Sequence, residues 1–205
     1  MTISSEIDQV KLEKIADCEH EIFALLKQRY SPRTFSEEPV KEEELHQMLE
    51  AARWAASCYN WQPWRFIHAK KDTEAYDKIM DCLSDFNQQW AGNAPLLMLT
   101  AYKKETPEGK ENFHALHDLG QAVANMAIQG QYMGIAVHQM AGVDWKKAHE
   151  VFGVPKDFHI TTAVAIGYYG GDVARLPEEL KENETSPRER MPQSDFAFNG
   201  EWKEK

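Results

Sequence analysis

Four of the seven arginines in this chain fall in two short clusters, Arg29-Tyr30-Ser31-Pro32-Arg33 and Arg188-Glu189-Arg190. The formal net charge is −10, so cations gathered in this way call for a chemical reason. A planar guanidinium binds phosphate through paired charge-assisted hydrogen bonds, and the Ser31 hydroxyl can serve the same oxygens. Ser31-Pro32 forces a turn between Arg29 and Arg33, which lets both reach around one anion instead of lying along a solvated helix face. The competing reading makes these arginines surface ion pairs with the abundant Glu and Asp, each worth little.

A second candidate is the run Ala55-Ala56-Ser57-Cys58-Tyr59-Asn60-Trp61-Gln62-Pro63-Trp64-Arg65-Phe66. Asn60 and Gln62 each offer donor and acceptor groups suited to an imide-and-carbonyl ring edge, with aromatic walls beside them. The alternative is a buried corner in which the amides satisfy nearby backbone and the tryptophans fill core. His114 and His117 share a helix face, but zinc needs further ligands that the sequence does not point to, so no metal is expected. Cys58 beside aromatics reads as packing more readily than as a nucleophile. No dinucleotide-binding glycine motif, phosphate-binding P-loop or serine-hydrolase elbow occurs.

The elements that must position these residues alternate between helix and strand. Apolar spacing predicts helices over 6–28, 41–55, 73–85, 111–133 and 144–152, and strands over 64–69, 96–102, 135–140 and 160–168. The continuous apolar run Leu96-Leu97-Met98-Leu99 suits a strand covered on both faces, and the apolar stretch 122–128 suits a buried helix. From Gly170 to Asn183 the composition reads as surface chain with a short helix at most. The order fits an α+β or three-layer core without settling the strand order.

At 205 residues with 42% hydrophobic and 27% charged content, the chain suits one folded domain. The acidic balance argues against broad attraction to nucleic acid or anionic lipid. Cys18, Cys58 and Cys82 fit neither a disulfide framework nor a paired-thiol metal site, which suits a reducing compartment. The opening residues lack a basic start followed by an apolar run, and no window approaches the ~20 apolar residues of a membrane helix, so a cytoplasmic protein is expected.

Taken together, Arg29-Tyr30-Ser31-Pro32-Arg33-Thr34-Phe35, Pro39-Val40, Ala51-Ala52, Ser57 through Phe66, Asn93-Ala94-Pro95, Gln139-Met140-Ala141-Gly142, Val164 through Tyr168 and Arg188-Glu189-Arg190-Met191-Pro192 resemble the FMN-dependent nitroreductase family. The resemblance spans residues 21–192, with 1–20 as an N-terminal helical extension and 193–205 as a tail. It implies an α+β fold with a central, mostly antiparallel sheet flanked by helices, and an interlocked homodimer with FMN in each of two interface sites. It also implies NADH or NADPH as electron donor, and a nitroaromatic, quinone, enone or flavin as acceptor in a ping-pong reaction. By the same likeness Arg29, Ser31, Arg188 and Arg190 serve the phosphate and ribityl end, Arg33 approaches the pyrimidine edge, and Tyr30 belongs to the cofactor-binding set.

Ala56, Ser57, Tyr59 and Asn60 would come from the second chain, with Gln62 bracing their loop. Met140, Ala141 and Gly142 would lie beside the reactive edge of the flavin, and Asn87 matches a position that binds the pyrimidine. No catalytic side chain is assigned. Two departures stand out: Ala56 occupies a place where many relatives have proline, and Trp90 falls near a lysine that some branches set against the flavin. Two other readings are a reductive dehalogenase or flavin-fragmenting enzyme of the same fold, and a non-enzymatic flavin-binding or storage protein.

Overall fold

The computed structural model describes residues 11–202. Its center is a four-stranded sheet in the order β1-β2-β4-β3, formed by β1 (Trp64–Lys70), β2 (Leu96–Lys103), β3 (Ile135–Met140) and β4 (Phe158–Tyr168). All three pairings are antiparallel, with Leu97 opposite Ala165 and His138 opposite Ala165 from the other side. Leu96 through Ala101 of β2 are buried, as a strand covered on both faces requires.

The helices are α1 (Ala24–Gln28), α2 (Glu42–Arg53), α3 (Glu74–Met80), α4 (Asp85–Ala91), α5 (Ala115–Tyr132), α6 (Trp145–Val151) and α7 (Glu178–Thr185). Alternation along the strands divides the core in two. One face packs Leu96, Met98, Val164 and Ile166 against Leu45 and Met48 of α2 and Met126 of α5. The other packs Leu97, Leu99, Ala163 and Met140 against Ile79 of α3, Trp90 of α4 and Leu180 of α7. Gly134, at a φ of 75° that other residues rarely adopt, turns the chain from α5 into β3. Among the described residues no helix is long and apolar enough to cross a membrane.

Three expectations need correction. The helix expected over 6–28 begins on residues outside the described range and is not continuous within it, since only residues 11–13 and α1 are helical there. The break follows from Lys14, which is buried and donates to the carbonyls of Asn183 (2.9 Å) and Ser186 (2.5 Å), while Ala16 N–H reaches Lys27 O. The helix expected over 73–85 stops at Met80, because Leu83 bridges Val143 and Ser84 N–H donates to Gly142 O. Ser84 then caps a second helix, α4, by accepting from Asn87 N–H. After Gly170 the short helix allowed for by the composition is α7, but it is not all surface, since it buries Leu180 and Glu184.

Candidate functional site

The loop Arg29–Thr34 follows α1 and carries no regular structure, yet nearly every residue of its backbone is held by a side chain from a distant element. Arg188 donates from Nη1 to Arg29 O (2.5 Å), from Nε to Lys14 O (2.6 Å) and from Nη2 to Lys27 O. The Tyr169 hydroxyl accepts from Tyr30 N–H (3.4 Å) and lies 3.2 Å from Tyr30 O. His138 on β3 holds Pro32 O at 2.7 Å from Nδ1. Glu184 on α7 accepts from Arg33 N–H with both oxygens, at 2.9 and 3.1 Å, and Asn93 Nδ2 donates to Arg33 O. A loop fixed in this way presents its own side chains in a set geometry and loses little entropy when it binds.

Those side chains divide by role. Tyr30 turns inward, buried against Tyr169 with ring centroids 4.8 Å apart, and burial pushes its phenol pKa upward. Arg29 lies with its Nη1 3.4 Å from the exposed Ser31 hydroxyl. Arg29, Arg188, Arg190 and Met191 line a cavity of about 450 Å³ together with residues 16–20 and Phe196. Arg33 lies over the Trp90 ring at 5.8 Å, and Trp90 in turn contacts the His138 ring at 4.4 Å. Arg33 Nε and Trp90 Nε1 are buried donors with no hydrogen-bond partner among the described residues.

Two buried titratable groups flank this stack. Burial first, then the charges of Arg33 and Arg29, push the His138 pKa down to about 4, against the raising influence of its bond to Pro32. His138 is therefore neutral near pH 7. Glu184 is only 3% exposed, and burial raises its pKa although Arg33 and Lys14 oppose that shift. Its Oε2 is 3.8 Å from Arg33 Nη1.

Behind the stack, Asn87 of α4 donates from Nδ2 to Gly142 O at 3.2 Å. The approach depends on Gly142, because a Cβ there would stand 2.4 Å from Ser84 Oγ and 2.8 Å from Asn87 Nδ2. Met140 is buried and Ala141 is exposed, so the turn after β3 exposes only part of the predicted Met140-Ala141-Gly142 segment.

The second candidate stretch lies elsewhere on the chain. Cys58 N–H donates to Asp118 Oδ2 (3.0 Å) on α5, and Gln62 N–H donates to Ser57 Oγ (3.1 Å). Gln62 Nε2 reaches Asn60 O at 3.1 Å, which braces the turn. Tyr59, Asn60 and Gln62 all adopt left-handed backbone, with φ of 49°, 57° and 49°. Such conformations cost on the order of 1 kcal/mol each outside glycine and persist only where the surroundings impose them. Ala56, Tyr59 and Asn60 are exposed and Ser57 is half-buried. Among the described residues the hydrogen bonds of residues 56–60 run to Asp118 or stay within the turn, and none reaches the Arg29–Thr34 loop.

Thus one chain brings Arg29, Ser31, Arg33, Arg188 and Arg190 into one region, sets Asn87 against Gly142 nearby, and leaves the Ala56–Asn60 turn apart. Sequence reading missed His138, Tyr169, Asn93 and Glu184 as the groups that hold the loop. Their partners are 106 and 139 residues away for His138 and Tyr169, and 151 for Glu184, so no local motif marks them.

An antiparallel sheet covered on both faces by helices, with an arginine-bearing loop locked at one end, is an α+β architecture. The Nitroreductase family profile matches residues 26–168, and the chain belongs to that family. A solved structure described as an oxidoreductase containing FMN is 35% identical, with a TM-score of 0.87 over 92% of this chain and 96% of that one. A Streptomyces coelicolor protein, named provisionally as an NADH dehydrogenase/NAD(P)H nitroreductase, is 25% identical over 89% of this chain and 98% of its own. A Desulfovibrio desulfuricans protein solved in complex with FMN shares the fold at 21% identity, with a TM-score of 0.68 and coverage of 87% and 96%.

Proposed function

We propose that this chain is an FMN-dependent oxidoreductase that takes electrons from NADH or NADPH and passes them, by a ping-pong mechanism, to a nitroaromatic, quinone, enone or flavin acceptor. The observation that carries the reading is the Arg29–Thr34 loop, whose backbone is held by five side chains from other parts of the chain while Arg29, Ser31 and Arg33 remain to meet a ligand. The family membership and the FMN named for the 35% identical structure point the same way.

The residues present fit such a cofactor. Arg29, Ser31 and Arg190 supply charge and a hydroxyl for a phosphate, while Arg188 spends its guanidinium on three backbone carbonyls and holds Arg29 in place. The unpartnered Arg33 Nε is a buried donor that an acceptor on a heterocycle would satisfy. Bound FMN would supply the two-electron chemistry, accepting hydride from a reduced nicotinamide and returning electrons to the acceptor. Arg33 would supply fixed positive charge to the pyrimidine edge, where negative charge develops on reduction. Asn87 and Gly142 hold the α4 and β3 ends together beside it.

In this reading the site is completed by a second copy, whose Ala56, Ser57, Tyr59 and Asn60 close over the flavin. The exposed turn around Tyr59, separated from the arginine loop within one chain, supports that arrangement. The test is the FMN affinity of Arg29→Ala, followed by fluorescence quenching of added flavin. Loss of one charge-assisted phosphate contact, about 1.5–3 kcal/mol, should weaken binding by roughly 10–150-fold. An unchanged affinity would remove Arg29 from the site.

A further inference from the structure

Glu184 plays no part in the reading above, yet it sits at the center of the loop's support. It is one of few charged side chains buried in the described residues, and its partners are Arg33 N–H, at 2.9 and 3.1 Å, the Thr34 backbone N–H, and the Arg33 guanidinium, at 3.8 Å. Lys14 lies near enough to influence it electrostatically, but the Lys14 ammonium donates to Asn183 O and Ser186 O at the end of α7. Around this one carboxylate stand Arg33 and Lys14, with Arg188 next to Lys14 O. A carboxylate is not needed merely to accept a backbone N–H, since an amide oxygen does the same. The charge therefore calls for its own explanation.

We propose that Glu184 is a positioning residue for Arg33 whose negative charge sets how strongly Arg33 stabilizes the reduced cofactor. The inference rests on the FMN reading given above. The backbone bonds to Glu184 fix where the guanidinium stands, and the adjacent carboxylate offsets part of its field. Without that offset, Arg33 would favor the anionic reduced flavin more strongly, raise its potential and weaken it as a reductant. An exposed carboxylate could not do this, because solvent would screen it. At 3% exposure Glu184 keeps its influence.

The experiment measures the midpoint potential of bound FMN in the full-length protein, together with the affinities for oxidized and reduced FMN. Glu184→Gln keeps an acceptor oxygen for Arg33 N–H and removes the charge. It should favor reduced over oxidized FMN by about tenfold, which is about 30 mV upward for a two-electron couple. Glu184→Asp, which retains the charge, should stay closer to the parent potential than Gln does. A purely structural role predicts the reverse order, or equal changes in both affinities with no shift in potential, and either result overturns the proposal. If Glu184→Gln yields no folded protein, Arg33→Gln/Glu184→Gln is compared with Arg33→Gln alone. With no guanidinium left to position or offset, the carboxylate's removal should shift the potential by much less than the tenfold preference expected with Arg33 present, and a full rise there would overturn the proposal. A parent protein that binds no FMN would instead defeat the underlying functional reading.

Discussion

Trp90→Ala should destabilize the protein by about 3–5 kcal/mol, the range for deleting a large aromatic side chain from a core. Trp90 is 1% exposed and packs in the core face formed by Leu97, Leu99, Ala163 and Met140. Its ring also contacts both Arg33 and His138, so truncation removes the surface against which both side chains are set. The indole N–H contributes no hydrogen bond to lose among the described residues, and the cost comes from cavity and packing. Trp90→Phe leaves a smaller cavity and deletes the unpartnered donor, so it should cost well under half as much. Urea unfolding of the three proteins checks the order. A loss below about 1 kcal/mol for Trp90→Ala would mean that the site wall is not built as described.

The second large effect is a pH dependence. The His138 pKa is pushed down to about 4 by burial and by the neighboring arginines, so the folded state binds fewer protons than the unfolded chain between that value and the ordinary histidine range. Stability from keeping His138 neutral is therefore present above about pH 6.5 and is lost as the pH falls to about 4, on the order of 3 kcal/mol in all. The groups facing the imidazole are Arg33, Arg29, the Trp90 ring and Pro32 O. Glu184 contributes with the opposite sign, since burial raises its pKa and favors the folded state on protonation. The comparison with His138→Gln isolates the histidine, because Gln can still donate to Pro32 O. The parent should lose stability relative to the variant between pH 6.5 and 4. A constant difference across that range would contradict the assignment.

Much of the framework was legible because local physics decides it. The run Leu96 through Leu99 has no polar face, and it became β2, flanked by strands on both sides. Asp144 announced α6 by capping it, accepting from Lys147 N–H at 3.0 Å. The acidic first turn of α2 and the buried Leu45, Met48 and Ala52 followed from composition and spacing alike. What escaped was decided at a distance. A single helix over 73–85 satisfies the apolar spacing, but the tie between Leu83, Ser84 and the turn after β3 stops it and starts α4. That break is what places Asn87 and Trp90. Ser84-Asp85 was a capping signal available in the sequence.

The site shows the same division. The arginine clusters were visible because seven arginines in an acidic chain are few and four of them are grouped. That Arg188 would spend its donors on the carbonyls of Lys14, Lys27 and Arg29 was not visible, since a guanidinium can donate to carbonyl oxygen as well as to phosphate. Glu184 lay in a stretch rich in Glu, Lys and Asn, where one buried acid cannot be told from its solvated neighbors by composition.

Sedimentation of the purified full-length protein, followed at once by protein and by visible flavin absorbance and repeated anaerobically with NADH and with NADPH, tests the central claim most directly. The account predicts a dimer of the 23.6 kDa chain whose color travels with it at one FMN per chain and bleaches with at least one of the two nucleotides. A monomer that takes up no FMN when the cofactor is supplied would contradict it.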